Sequence, residues 1–528
     1  MMRIRTVAGA AFALVLTACG APTATTTDSL VLADAAELGG YNPIAGYGAA
    51  GEAKIYDGLL RLTGGSGMPG FAPALATELP TAEPGAAAWT VPLRTGVRFS
   101  DGTTFDAADV VATYRAILDP ASASEVRSSF SMIERVEAVD PATVRFTLRH
   151  PYAAFPTKLL IGIVPSEAVA EPGAATESAL NTKPVGTGPY RLTTLEPNRA
   201  VFTANENYWG GAPAVKRLTV LHVPDDNTRA QRMASGELDG TSLPPLLAAT
   251  FADRAPMSVH ANASADWRGV SLPAGDPVAG DPAVRLALNF AVDRQAMIDN
   301  ILGGYGRPAY TPIPEVYGES HNPAAFFAFD RARAEQILDA AGWSRGADGV
   351  RAKQGVRARF TVMYNSTDTL RRDLAMAFAS DARRVGVEVD LEALSWDRIE
   401  PRIERAGILL GGGSEPFDPD TQAYNTLHTV DPGAGSPYDN ASRHSDPAID
   451  ALLEKARRTL DPADRAAAYR AVQTRYAEDP SHVFLVHLDH TYVVKDSGWT
   501  MSGPVLEPHA HGVTWGPWWS LQTWTHGS

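Results

Sequence analysis

Residues able to do chemistry are few and scattered. Pro416-Phe417-Asp418-Pro419-Asp420 sets two carboxylates in a loop stiffened by proline, an arrangement suited to acid–base work or to a cation. No nucleophile and no second carboxylate pair accompanies them. His509-Ala510-His511 would put two imidazoles on one strand face, the spacing of a metal pair. With no partnering cysteine and only Glu507 close by, structural histidine is the simpler reading. His482, His487 and His490 stand five and three apart on a predicted strand, which points them to different faces. Gly411-Gly412-Gly413 lacks dinucleotide-fingerprint spacing and reads as a flexible turn. The chain has no G-x-S-x-G elbow, no P-loop and no H-E-x-x-H. Nothing here supports catalysis, and no cofactor is expected.

The sole cysteine, Cys19, excludes an internal disulfide framework and a thiolate-caged metal. It ends a segment with a basic head (Arg3, Arg5), an apolar run from Val7 to Leu16, and Leu16-Thr17-Ala18-Cys19. That is the layout of a secretory signal, too short for a membrane span. Residues 20–27 are small, polar and threonine-rich, the composition of a tether. The 528 residues are 45% hydrophobic, which argues for a folded protein rather than disorder. A formal net charge of −14 speaks against nucleic-acid partners.

The elements that must position these residues alternate between strand and helix. Leu30–Ala33, 201–204, 218–223, 360–364, 387–391 and 483–488 read as strands, with hairpin strands at 136–139 and 144–148. Trp89 to Phe99 alternates as a half-buried strand, and Ile55–Leu60 looks like a helix end. Helices are expected from Asp106 to Leu118, from Asp281, from Asp293, and over 330–341, 371–385, 449–460 and 465–477. Aspartates cap several of them and Gly342 stops one. Strands separated by helices of ten or more residues make the chain α/β.

An ordered set of motifs resembles the family 5 extracytoplasmic solute-binding proteins, the dipeptide- and oligopeptide-binding components of ABC importers. It begins with Arg94-Thr95-Gly96-Val97-Arg98-Phe99-Ser100-Asp101-Gly102 and Ala107-Ala108-Asp109-Val110. Pro184-Val185-Gly186-Thr187-Gly188-Pro189-Tyr190 is the most diagnostic string. Asn205-Glu206-Asn207-Tyr208-Trp209-Gly210, Ser235-Gly236-Glu237-Leu238-Asp239, the 281–293 helix, Ala340-Ala341-Gly342-Trp343 and 446–470 complete it. The final signal residues resemble a bacterial lipobox, with Cys19 as the lipidated N-terminus.

The resemblance implies a two-lobed, periplasmic-binding-protein-like fold of type II with an additional subdomain and a hinge. The expected boundaries are signal peptide 1–18, tether 19–27, lobe I over 28–57, 186–272 and 488–528, additional subdomain 58–185, and lobe II 273–487. It implies a monomeric, non-enzymatic lipoprotein on the outer face of the cell membrane, delivering ligand to an ABC permease and ATPase. In dipeptide-binding relatives a loop carboxylate pairs with the ligand's α-amine, and Asp418 falls at the matching place. Arg371 or Arg372 falls where relatives hold the α-carboxylate, although both could be solvated helix charges. Tyr41, Asn42 and Tyr47 follow the first strand on a loop that usually reaches the cleft. Trp396 and Tyr424 are candidate aromatic walls or core. Peptides are the expected ligand, with a nickel or other metal chelate, an opine or an oligosaccharide as alternatives. A signalling or cell-wall sensing role stands as the alternative from a different class.

Overall fold

The computed structural model describes residues 28–526 apart from 84–86, 172, 414 and 431–435. The expected signal peptide, Cys19 and the expected 19–27 tether lie outside the described residues.

Ten strands form the spine of the molecule: β1 (Ser29–Asp34), β2 (Tyr190–Glu196), β3 (Arg199–Ala204), β4 (Arg217–His222), β5 (Gly240–Ser242), β6 (Met257–Ser271), β7 (Arg359–Asn365), β8 (Glu388–Leu394), β9 (Gly407–Gly412) and β10 (His482–Lys495). Their order is β8-β7-β9-β6-β10-β5-β1-β4-β3-β2, with Gly306–Pro308 added alongside β10. The two longest strands, β6 and β10, pair antiparallel from Met257↔Lys495 to Ser271↔His482 and so run through both halves of the sheet. Their register shifts between Ala263 and Trp267, a bulge that bends the ribbon where the halves meet. One half carries the core around Leu30, Leu32, Tyr56 and Trp518, and the other the core around Val270, Leu288, Phe360 and Phe378. The molecule is therefore α/β with two lobes sharing a central ribbon. A separate antiparallel sheet (Thr81–Ala82, Ala88–Pro92, Thr143–Leu148, Ile133–Asp140) carries the helix α1 (Ala107–Leu118).

Helix positions follow local chemistry closely. Asp106 accepts from the Ala108 amide and Asp109 from the Asp106 amide, a closed capping box at the start of α1. Asp-Pro pairs open α3 (Pro419–Leu427), α4 (Pro447–Arg458) and α5 (Pro462–Glu478), each with the aspartate as N-cap and proline in the first turn. Helix α2 (Thr369–Arg384) follows β7 under an Asp368 cap.

Three local expectations change. Ile55–Gly58 is irregular and leads into a short strand, Leu60–Leu62, rather than ending a helix. A Cβ on Gly58 would lie 2.4 Å from the Leu160 carbonyl oxygen, so the backbones meet where a helix could not fit. The strand at Trp89 stops at Pro92. Gly411 and Gly412 belong to β9 rather than to a turn, because a Cβ on Gly412 would stand 2.3 Å from Trp267 Nε1.

Two of the diagnostic motifs converge on one carboxylate. Asp57 accepts from Thr187 Oγ1 (3.0 Å), Tyr208 Oη (3.0 Å) and Trp209 Nε1 (2.8 Å). Gly186 and Gly188 lie so close to Ile55 that a Cβ on either would approach its backbone to 2.3 or 2.4 Å. The Gly-Thr-Gly and Tyr-Trp-Gly strings thus clamp the chain at Ile55–Asp57.

Candidate functional site

A cavity of about 900 Å³ lies between the α1 subdomain and the lobe that holds β7–β9. One wall comes from the 128–132 turn, the Arg149–Tyr152 segment and Lys158. The other comes from Trp267, Gly411–Gly413, Glu415, α3 and the loop that follows it. The glycines let the strand end pass against the Trp267 indole, so Trp267 lines the cavity together with Leu410 of β9.

One charged pair crosses between the walls and another lies within one wall. The Lys158 ammonium, 4% exposed, hydrogen-bonds the Glu415 carboxylate, which is about one-third exposed. Asp420, fully buried, accepts from Arg457 Nε (3.0 Å) and Nη2 (2.8 Å) and from Tyr152 Oη (3.1 Å). Burial works against the Arg457 cation, but the Asp420 charge and hydrogen bonds outweigh it and raise its pKa. The same guanidinium lies 3.3 Å from the centroid of the Tyr424 ring, whose other neighbour is His428, stacked at 4.2 Å. Arg149 at the rim donates Nε to the Ser131 carbonyl (3.1 Å) and has no carboxylate partner among the described residues. The site therefore offers an anionic point, a cation without a carboxylate partner and aromatic faces, a set suited to holding a zwitterionic ligand.

Of the residues expected at the ligand, Tyr424 lines the cavity. Asp418 points away from it. Its carboxylate caps α3 through the Asp420 amide (2.8 Å) and takes both Nη groups of Arg465 at 3.0 and 2.7 Å. Arg371 is buried in the first turn of α2, bonded to Asp368 and 5.4 Å from the Trp396 ring. Arg372 is exposed and pairs with Asp373. Trp396 meets Tyr438, itself a lining residue, edge-on at 5.5 Å. Tyr41 and Tyr47 stack edge-on at 5.2 Å within the first lobe, and Asn42 caps a 3-10 turn and donates to the Ala175 carbonyl (3.0 Å).

Glu415, Lys158, Arg457, Tyr152 and Trp267 had no distinguishing signal in one dimension. Lys158 and Glu415 are 257 residues apart. The one available clue was that Glu415 lies in the same proline-stiffened loop as Asp418, three residues upstream.

The model of the "Bacterial extracellular solute-binding proteins, family 5 Middle" matches residues 70–434. The chain belongs to this family. Family 5 proteins are extracytoplasmic, non-enzymatic carriers that work with ABC permeases. Protein XP55 of Streptomyces lividans is 43% identical over 93% of this chain and 91% of its own length. Glutathione-binding protein GsiB of Shigella boydii is 28% identical over 73% of this chain and 74% of its own. Among solved structures, NikZ from Campylobacter jejuni in complex with Ni(L-His) superposes with a TM-score of 0.82 at 26% identity, covering 94% of this chain and 99% of that one. No described helix is long and apolar enough to cross a membrane.

Proposed function

We propose that this family 5 protein is the substrate-binding lipoprotein of an ABC importer, capturing di- or oligopeptides in the 900 Å³ cavity and delivering them to the permease. The observation that carries the peptide reading is the pairing of a carboxylate and an uncommitted cation on facing walls. Glu415 is paired with Lys158, and a peptide α-ammonium can take the place of that ammonium. Arg149 offers its two Nη groups to a carboxylate, and guanidinium–carboxylate pairing is bidentate and directional. The volume falls in the range of about 300–1,000 Å³ typical of small-molecule sites. A relative named as a glutathione-binding protein, hence a binder of a short peptide, agrees with this reading.

Closure of the lobes over the ligand would be selected by the ligand's extra contacts in the closed form. In this proposal lobe I spans 28–57, 186–272 and 488–528, the additional subdomain 58–185 and lobe II 273–487, with Cys19 as the lipid anchor of a monomer. The test is release of bound ligand by denaturing the purified protein, with identification by mass spectrometry. Peptides in the released fraction are the expected result. A metal chelate, opine or sugar in their place, with no thermal stabilisation by peptides, refutes the peptide assignment.

A further inference from the structure

The ribbon that joins the lobes holds a group of side chains that ligand capture does not use. Asp266 on β6, His490 on β10 and His511 on the C-terminal loop each offer one ligand atom within 4.8 Å of the other two. None of the three lines the cavity. His509 and His511 do not share a strand face as their spacing suggests, because residues 508–513 are irregular. His509 Nδ1 turns to Asp266 Oδ1 (2.7 Å), while His511 stacks on His490 with ring centroids 3.7 Å apart.

We propose that Asp266, His490 and His511 bind a divalent first-row transition metal such as zinc at the junction of the lobes. The argument rests on which nitrogens are already committed. His490 Nδ1 is 2.9 Å from Glu507 Oε2, and His511 Nδ1 is 3.0 Å from the His509 carbonyl oxygen. Both partners are acceptors, so both Nδ1 atoms carry hydrogen, which leaves Nε2 of each ring as its nitrogen for a metal. Metal-binding histidines characteristically donate their other N–H to a carboxylate or carbonyl in this way. The carboxylate ligand is oriented likewise. Asp266 Oδ1 is held by Arg268 and His509, and Oδ2 lies 3.3 Å from His490 Nε2. A metal would replace the hydrogen between those two atoms.

Glu507 in turn accepts from Asn262 Nδ2 (2.6 Å), the Gly516 amide (3.0 Å) and the Tyr492 hydroxyl (2.5 Å), so the outer layer is itself fixed. Two imidazoles and one carboxylate leave open positions, and imidazole donors favour zinc, nickel, copper or iron over magnesium or calcium. Asp266 and His490 are buried whereas His511 is exposed. The bound ion would tie both ribbon strands to the C-terminal loop.

The full chain, prepared without a histidine tag and stripped with EDTA, is titrated with Zn2+ by calorimetry and with Co2+ by visible absorption. One equivalent of each metal is expected, together with a rise in the thermal midpoint. His511→Ala, at an exposed position, should keep the metal-free midpoint, abolish the Co2+ bands and weaken Zn2+ by about tenfold or more. Glu507→Gln should weaken Zn2+ by about 10- to 100-fold. Glu415→Gln, in the cavity, should leave metal binding unchanged, which separates this site from the ligand site. No binding by the parent chain, undiminished Zn2+ affinity in His511→Ala, or loss of binding in Glu415→Gln overturns the assignment.

Discussion

Replacing Asp418 by alanine separates two accounts of the same residue. If Asp418 received the ligand's amine, the variant would fold normally and bind peptides poorly. The structure commits the carboxylate twice to stability, as N-cap of α3 and as bidentate partner of Arg465. Loss of an aspartate cap costs about 1 kcal/mol. Leaving Arg465, whose side chain is only 15% exposed, without its counter-charge costs about 3–5 kcal/mol. The two losses share one side chain, so about 4 kcal/mol is expected in total. Arg465→Met should cost slightly less, because the cap survives. Combining the two should recover about 2 kcal/mol of the summed penalty, the mark of a coupled pair. The assay is urea unfolding of ligand-free protein, since bound ligand raises the apparent stability of any variant. A change in Asp418→Ala below about 1 kcal/mol, together with a large loss of peptide affinity, would refute this reasoning and return Asp418 to the ligand.

Arg149→Ala removes a rim cation that has no carboxylate partner among the described residues and should weaken peptide binding about 10- to 100-fold, read by calorimetry, with an unchanged thermal midpoint. Lys54 is buried with Nζ bonded to the Thr514 and Trp519 carbonyls, and burial pulls its pKa down to about 7 from 10.5. Between those values the unfolded chain holds the extra proton, so Lys54 makes stability rise with pH by up to about 1.4 kcal/mol per unit. Lys54→Met should remove that slope in urea melts at pH 7 and pH 9. Gly412→Ala drives a methyl into the Trp267 indole and should cost about 1–3 kcal/mol in urea unfolding while perturbing ligand affinity. Cys19→Ala should shift the protein from the membrane fraction to the soluble extracytoplasmic fraction; unchanged membrane association would remove Cys19 as the anchor.

The α/β class, most helix starts and the family were legible in one dimension because their causes are local. Asp281 before Pro282 reads as a cap and is one. Asp418-Pro419, which reads as part of a stiff loop, instead opens the helix Pro419–Leu427, and Asp140-Pro141 makes a turn between strands, so the same pair is decided by its surroundings. Alternation marked the strands, and the ordered motifs marked the family. The cavity was not legible, since its charges come from segments hundreds of residues apart.

Asp418 and Glu415 belong to the same loop and carry the same charge. Tertiary packing alone decides that Asp418 turns inward to Arg465 while Glu415 faces Lys158 across the cavity. His509 and His511 read as a pair, yet each is claimed by a different partner on the ribbon. Capping and periodicity are set within a few residues, whereas the neighbour that neutralises a buried charge is chosen only when distant strands and helices come together.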